Sequence, residues 1–146
     1  MLSGRLIHPE ILGALASGGH GSTVLVTDAH YAAATAVGPN ARRVYLNLEP
    51  GRPTVPEVLS VLLESVAVEK VTRIEPAADA RPCVVQDEVD ALLPAGVTHE
   101  FVDRFAFYEL ARRDDLVLAV VTGDVRRFGN VLLTLGVLGR DRPVAG

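Results

Sequence analysis

The chain has 146 residues, 49% of them hydrophobic and 22% charged, a globular composition that excludes a disordered tail protein. Its length suits one domain, residues 1–146, burying roughly two-thirds of its unfolded surface. A net charge of −4 argues against a nucleic-acid partner, which needs clustered positive surface.

No apolar run reaches membrane-spanning length, and the start Met1-Leu2-Ser3-Gly4-Arg5 lacks the apolar stretch of a signal peptide. A soluble cytoplasmic protein with no membrane partner is expected. The lone cysteine, Cys83, cannot form a disulfide or thiolate cluster within the chain. Its neighbours Val84 and Val85 suggest a half-buried strand position.

Pro9-Glu10 opens a short helix, Ile11 to Ala16, because proline suits the first helical position and glutamate complements the helix dipole. Gly18-Gly19 ends it. Thr23–Thr27 is a β-branched run without helical period and reads as a buried strand. Tyr31–Ala36 is expected to form another short helix, and Val44–Leu48 a second strand.

Val55, Val58, Leu59, Leu62 and Val66 form one apolar stripe, predicting a helix over 55–66. Thr54 with Glu57 three residues later makes a capping box for it. Strands are expected at Val71–Ile74 and Pro82–Val85, with a loop at Pro76–Asp79. A helix from Asp87 to Leu93 and an extended segment at Thr98–Val102 follow.

Asp103 then caps a helix, Arg104–Ala111, and Leu116–Val121 is the purest strand. A turn containing Gly123 and Gly129 leads to a last apolar run, Val131–Leu133. This alternation predicts an α/β class fold: a single layered domain with a central β-sheet covered by helices. Ligands of such sheets sit beyond strand ends, where loops present polar groups.

Four polar places stand at such ends. In Gly18-Gly19-His20-Gly21 the glycines allow a ligand close approach, and His20 can exchange protons near neutral pH. A helix end followed by a surface histidine accounts for the same residues. Asp28, directly after a strand, could hold hydroxyl groups or cap the next segment; His30, two residues on, could be a second catalytic group, though a histidine in a short helix is more often a surface residue.

Arg104 sits where a helix dipole prefers anions, which suits either ligand contact or a side chain reaching to water. Phe105, Phe107 and Tyr108 read as core. Phe128-Gly129-Asn130 could press backbone and amide donors against a small polar ligand, or form a simple turn with asparagine in a left-handed conformation. No metal-ligand spacing, phosphate-cradling glycine loop or nucleophile elbow is present, so no cofactor is expected and acid–base chemistry remains.

Taken in order, Leu6-Ile7-His8-Pro9-Glu10-Ile11-Leu12, Gly19-His20-Gly21, Thr27-Asp28-Ala29-His30, Arg104-Phe105-Ala106-Phe107-Tyr108-Glu109, Thr122-Gly123 and Phe128-Gly129-Asn130 resemble the D-ribose pyranase / L-fucose mutarotase (RbsD/FucU) family. Arg104 resembles the fucose-mutarotase branch. The resemblance implies an isomerase that interconverts anomers or ring forms of a free monosaccharide such as L-fucose. It also implies a homo-oligomer whose site is completed by a neighbouring subunit.

By motif match His20 takes the proton-donor position, and Asp28, Arg104, Phe128, Gly129 and Asn130 take sugar-binding positions. The family pattern ends Tyr-Gly-Asn, so Phe128 lacks a phenolic hydroxyl. A non-catalytic sugar-binding or regulatory module of the same fold is the alternative that this departure leaves.

Overall fold

The computed structural model describes residues 1–139. In chain order the elements are α1 (Pro9–Ser17), β1 (Thr23–Thr27), β2 (Arg42–Tyr45), α2 (Val55–Leu62), β3 (Val68–Ile74), α3 (Val84–Leu92), β4 (Thr98–Val102), α4 (Arg104–Ala111), β5 (Leu116–Val121) and β6 (Val131–Leu135). A short 3₁₀ turn at Ala78–Ala80 precedes α3.

The six strands form one sheet in the order β2-β5-β1-β6-β3-β4. Only β6 runs against its neighbours: it is antiparallel to β1 and β3, whereas β1–β5, β2–β5 and β3–β4 are parallel. The carboxyl ends of β1, β3 and β5 therefore meet at one edge, joined there by the amino end of β6.

Side-chain alternation along the strands divides the interior in two. Val24 and Val26 of β1, Val71 of β3, Leu118 and Val120 of β5 and Leu133 of β6 pack with Ile11, Leu59, Leu62 and Val89 from α1, α2 and α3. Leu25, Ile74, Ala119, Val121 and Leu132 face the other way, onto Phe107 and Ala111 of α4 and onto Tyr31, Ala33 and Val37. Helices thus cover both faces, as the α/β reading of the sequence expects. Leu59 and Phe107 are fully buried, so truncating either to alanine removes about 2–5 kcal/mol of stability.

The capping box of α2 forms as expected: Glu57 N–H donates to Thr54 Oγ1 at 3.2 Å and Thr54 N–H to Glu57 Oε2 at 2.9 Å. Asp103 likewise caps α4, accepting from Ala106 N–H at 2.9 Å. The helix expected over 55–66 stops at Leu62, and β3 begins earlier than foreseen, at Val68.

Two expectations fail on tertiary grounds. Pro82–Val85 is not a strand, because α3 starts at Val84. Val85 and Val89 lie one turn apart and are both buried, Val89 in the core beneath the sheet, and that burial outweighs the strand preference of two adjacent valines. Cys83 accordingly precedes a helix and caps it without a side-chain bond.

Tyr31–Ala36 is a set of turns instead of a helix. The buried Tyr31 hydroxyl donates to Ala36 O at 2.7 Å, pinning the segment across the sheet where a helix would carry it away. The sequence Gly38-Pro39 then stops any continuation.

Candidate functional site

Beyond the carboxyl ends of β1 and β3 lies a cavity of about 550 Å³, a volume that suits a small ligand. Asp28, His30 and Tyr31 approach it from the segment after β1, Ile74 from the end of β3, and Arg104 and Tyr108 from α4. Val125, Arg127, Phe128 and Asn130, between β5 and β6, close the remaining side. A second depression, between the N-terminal segment and α2, is walled mainly by Leu6, Ile7, Ile11, Leu46, Val58 and Leu62. Arg5, His8 and Glu57 are the charged or titratable residues of its lining.

Asp28 is 4% exposed. Its backbone N–H donates to Asn130 Oδ1 at 2.9 Å, and its own Oδ1 accepts from His30 N–H at 2.9 Å. Burial raises its pKa above the ordinary 3.8, against the opposing pull of the His30 N–H. Asn130 is buried beside it.

Arg104 stands at the first position of α4, its guanidinium 5.0 Å from the Phe105 ring centroid. It makes no ion pair among the described residues. The aromatic cluster expected to be core divides three ways: Phe107 is buried, Phe105 is exposed, and Tyr108 lines the cavity. Tyr108 meets Tyr31 edge to face at 5.4 Å.

Phe128 adopts φ 63°, the single positive φ among described non-glycine residues. The left-handed residue is thus Phe128, where the sequence suggested Asn130. That conformation costs a side-chain-bearing residue about 1–2 kcal/mol and persists only where neighbours impose it. Gln86, buried on α3, supplies the clamp: its Nε2 donates to both Ile74 O at 2.9 Å and Phe128 O at 3.1 Å. Arg127 lies over the outer side of the ring at 5.2 Å. Gly129 passes between Asp28 and Val85, which an added Cβ would meet at 3.6 and 3.5 Å.

Asp124, which the sequence did not single out, anchors the loop. Burial alone would push its pKa up, yet hydrogen bonds from Arg126 and from Val55 N–H hold the carboxyl below its usual range. Arg126 continues to Glu88 Oε2 of α3 at 2.8 Å. Gly123 beside it has no alternative: a Cβ there would fall 2.2 Å from Arg52 O and 2.4 Å from Glu49 O.

His20 stands elsewhere. It precedes β1, while Asp28 follows it, so the five residues of β1 separate them by roughly 16 Å at about 3.3 Å per residue. Its Nε2 meets Glu69 Oε2 at 2.9 Å, both side chains about half exposed. One chain therefore brings together Asp28, Arg104, Phe128, Gly129 and Asn130, and leaves His20 at the opposite edge of the sheet. His30 is exposed, as its surface reading expects, and is also the imidazole that lines the Asp28 cavity. The two-residue spacing from Asp28 was the signal available for it.

The chain belongs to the RbsD / FucU transport protein family, matched over residues 1–138. It is 35% identical to a D-ribose pyranase 2 of Streptomyces griseus subsp. griseus over 138 residues, covering 94% of this chain and 98% of the relative. It is 34% identical over 144 residues to a D-ribose pyranase of Streptomyces avermitilis, at 94% and 98% coverage. Both relatives carry the ribose-pyranase name, whereas Arg104 suggested the fucose branch.

In fold it is similar to Bacillus subtilis RbsD complexed with D-ribose, with TM-score 0.80, 24% identity and coverage of 95% and 100%. It also resembles the fucose mutarotase of Streptococcus pneumoniae in complex with L-fucose, with TM-score 0.74, 20% identity and coverage of 91% and 95%. No helix among the described residues is long and apolar enough to cross a membrane.

Proposed function

We propose that this protein is a cytoplasmic isomerase that opens and recloses the ring of a free monosaccharide, exchanging its anomers or its ring sizes. The observation that carries the reading is the convergence of Asp28, Arg104, Phe128 and Asn130 on one cavity at the strand ends. Buried amide and carboxylate groups beside an aromatic wall match the hydroxyls and apolar face of a sugar. D-ribose and L-fucose are the first substrates to test, since relatives and structural neighbours carry those names.

Ring opening needs a proton removed from the anomeric hydroxyl and one delivered to the ring oxygen. Asp28 and Asn130 hold hydroxyls. Arg104, free of ion pairs among the described residues, stabilises negative charge developing on oxygen. His20 donates and recovers a proton; set at the far end of β1 from its own chain's cavity, it does so, on this reading, in the cavity of a second copy. On this reading the working enzyme is a homo-oligomer with each site near a subunit interface.

Saturation-transfer NMR between the α and β anomers tests the reading. Exchange above the uncatalysed rate, lost in His20→Ala with the fold intact, supports it. Binding without exchange supports the second reading, a non-catalytic sugar-binding module, which Phe128 favours because the ring brings no hydroxyl to the cavity.

A further inference from the structure

We infer that His30 is a second proton-transfer residue of this site, acting through Nδ1 as the base that takes the anomeric proton. The inference rests on the sugar-isomerase reading above and gives a role to a residue to which the motif match assigned none.

Two bonds fix the residue. Its backbone N–H donates to Asp28 Oδ1 at 2.9 Å, and its ring Nε2 lies 3.0 Å from Val125 O. A carbonyl oxygen can only accept, so Nε2 must carry the hydrogen. In the neutral ring the lone pair is then on Nδ1. No other bond to the ring occurs among the described residues, which leaves Nδ1 open to accept a proton.

The alternatives inside the cavity are weaker. The Tyr31 hydroxyl is spent on Ala36 O, and burial pushes its pKa far above the ordinary value of 10. Phe128 has no ionisable group. Asp28 spends one oxygen on His30 N–H. His30 is the one imidazole that the described chain brings to the cavity.

The step balances with His20 of a second copy as the acid. In opening, the protonated His20 delivers a proton to the ring oxygen as the bond from the anomeric carbon to that oxygen breaks, its electron pair staying on oxygen. The anomeric O–H gives its proton to His30 Nδ1 and becomes the aldehyde carbonyl. Closure on the other face reverses both transfers. Throughout, Nε2 keeps its hydrogen on Val125 O. The charged or titratable groups lining the same cavity are Asp28 and Tyr31 on the same segment, Arg104 and Tyr108 from α4 and Arg127 from the loop before β6.

The test measures anomeric exchange of L-fucose and D-ribose by NMR across pH for the wild type, His30→Ala and His30→Gln. Glutamine can still donate to Val125 O but offers no base, so loss in both variants separates proton transfer from loop support. The expected result is a fall on the order of 10²–10⁴-fold in rate for each. Sugar binding is retained, the acid-side fall of the rate profile disappears, and added imidazole partly restores His30→Ala. Wild-type exchange rates in His30→Ala would overturn the inference and leave the isomerase reading standing. A rate lost together with binding, unrelieved by imidazole, also overturns it. Absence of exchange in the wild type overturns both.

Discussion

Asp28 and Asn130, 102 residues apart in the chain, are joined where β1 ends and β6 begins: the Asp28 backbone N–H donates to Asn130 Oδ1 at 2.9 Å. The bond ties two antiparallel neighbours at the cavity edge. It aligns a buried carboxylate with a buried amide, so the architecture of the sheet sets the spacing of the candidate ligand groups.

Asn130→Ala should therefore do two kinds of damage. It strands the buried Asp28 N–H without an acceptor, destabilising the fold by about 1–3 kcal/mol. It also removes an amide from the cavity. Urea denaturation should show the first effect and sugar titration the second. Unchanged stability would mean that water replaces the lost acceptor.

Asp28→Asn should gain stability over the wild type as pH rises, while nearly abolishing its function. Burial raises the Asp28 pKa in the folded state above 3.8, so the folded chain holds that proton more tightly than the unfolded chain. The stabilising contribution is full below the unfolded value and is lost as pH rises through the folded value. Once ionised, the wild type carries a buried charge that asparagine does not, while asparagine's oxygen can still accept from His30 N–H. The advantage of the variant in thermal unfolding should grow as pH rises from the unfolded value of 3.8 towards neutrality. A constant difference across that range would refute the account.

What could be read beforehand was what is written locally. The capping box at Thr54 and Glu57, the Asp103 cap and the strand at Leu116–Val121 depend on neighbours in sequence, and all three form. Asp28, Arg104 and Asn130 were legible because polar residues at strand ends and helix starts face the ligand edge of an α/β sheet. His30 was legible only as a neighbour of Asp28, since the bond that sets its ring, to Val125 O, crosses the loop. Gln86 and Asp124 were hidden for the same reason: their partners Phe128, Ile74 and Val55 are distant in sequence. The left-handed Phe128 contradicts its residue type and follows from the clamp on its carbonyl.

Phe128→Tyr restores the hydroxyl that the Tyr-Gly-Asn pattern carries at this place. The backbone is already held by Gln86, so the substitution adds an oxygen without moving the chain. If that oxygen reaches the sugar, one hydrogen bond worth about 0.5–1.5 kcal/mol should raise kcat/KM for anomer exchange about 2- to 10-fold. A variant no faster than the wild type would show that the phenol is dispensable once His30 occupies the same cavity.

The separation of His20 from Asp28 by the length of β1 makes the strongest demand. If each working site takes His20 from one copy and Asp28 from its neighbour, His20→Ala and Asp28→Asn are defective in different halves of the site. Each variant alone should be nearly inactive. Unfolded together and refolded as mixed oligomers, they place an intact His20 from the Asp28→Asn chain against an intact Asp28 from the His20→Ala chain. Random association at equal amounts gives about one site in four with both groups, so about a quarter of wild-type exchange should return. A site complete within one chain contains a defect in every copy and recovers nothing on mixing. The NMR exchange rate of the mixed sample, set beside those of the two parents refolded separately, decides between the two arrangements.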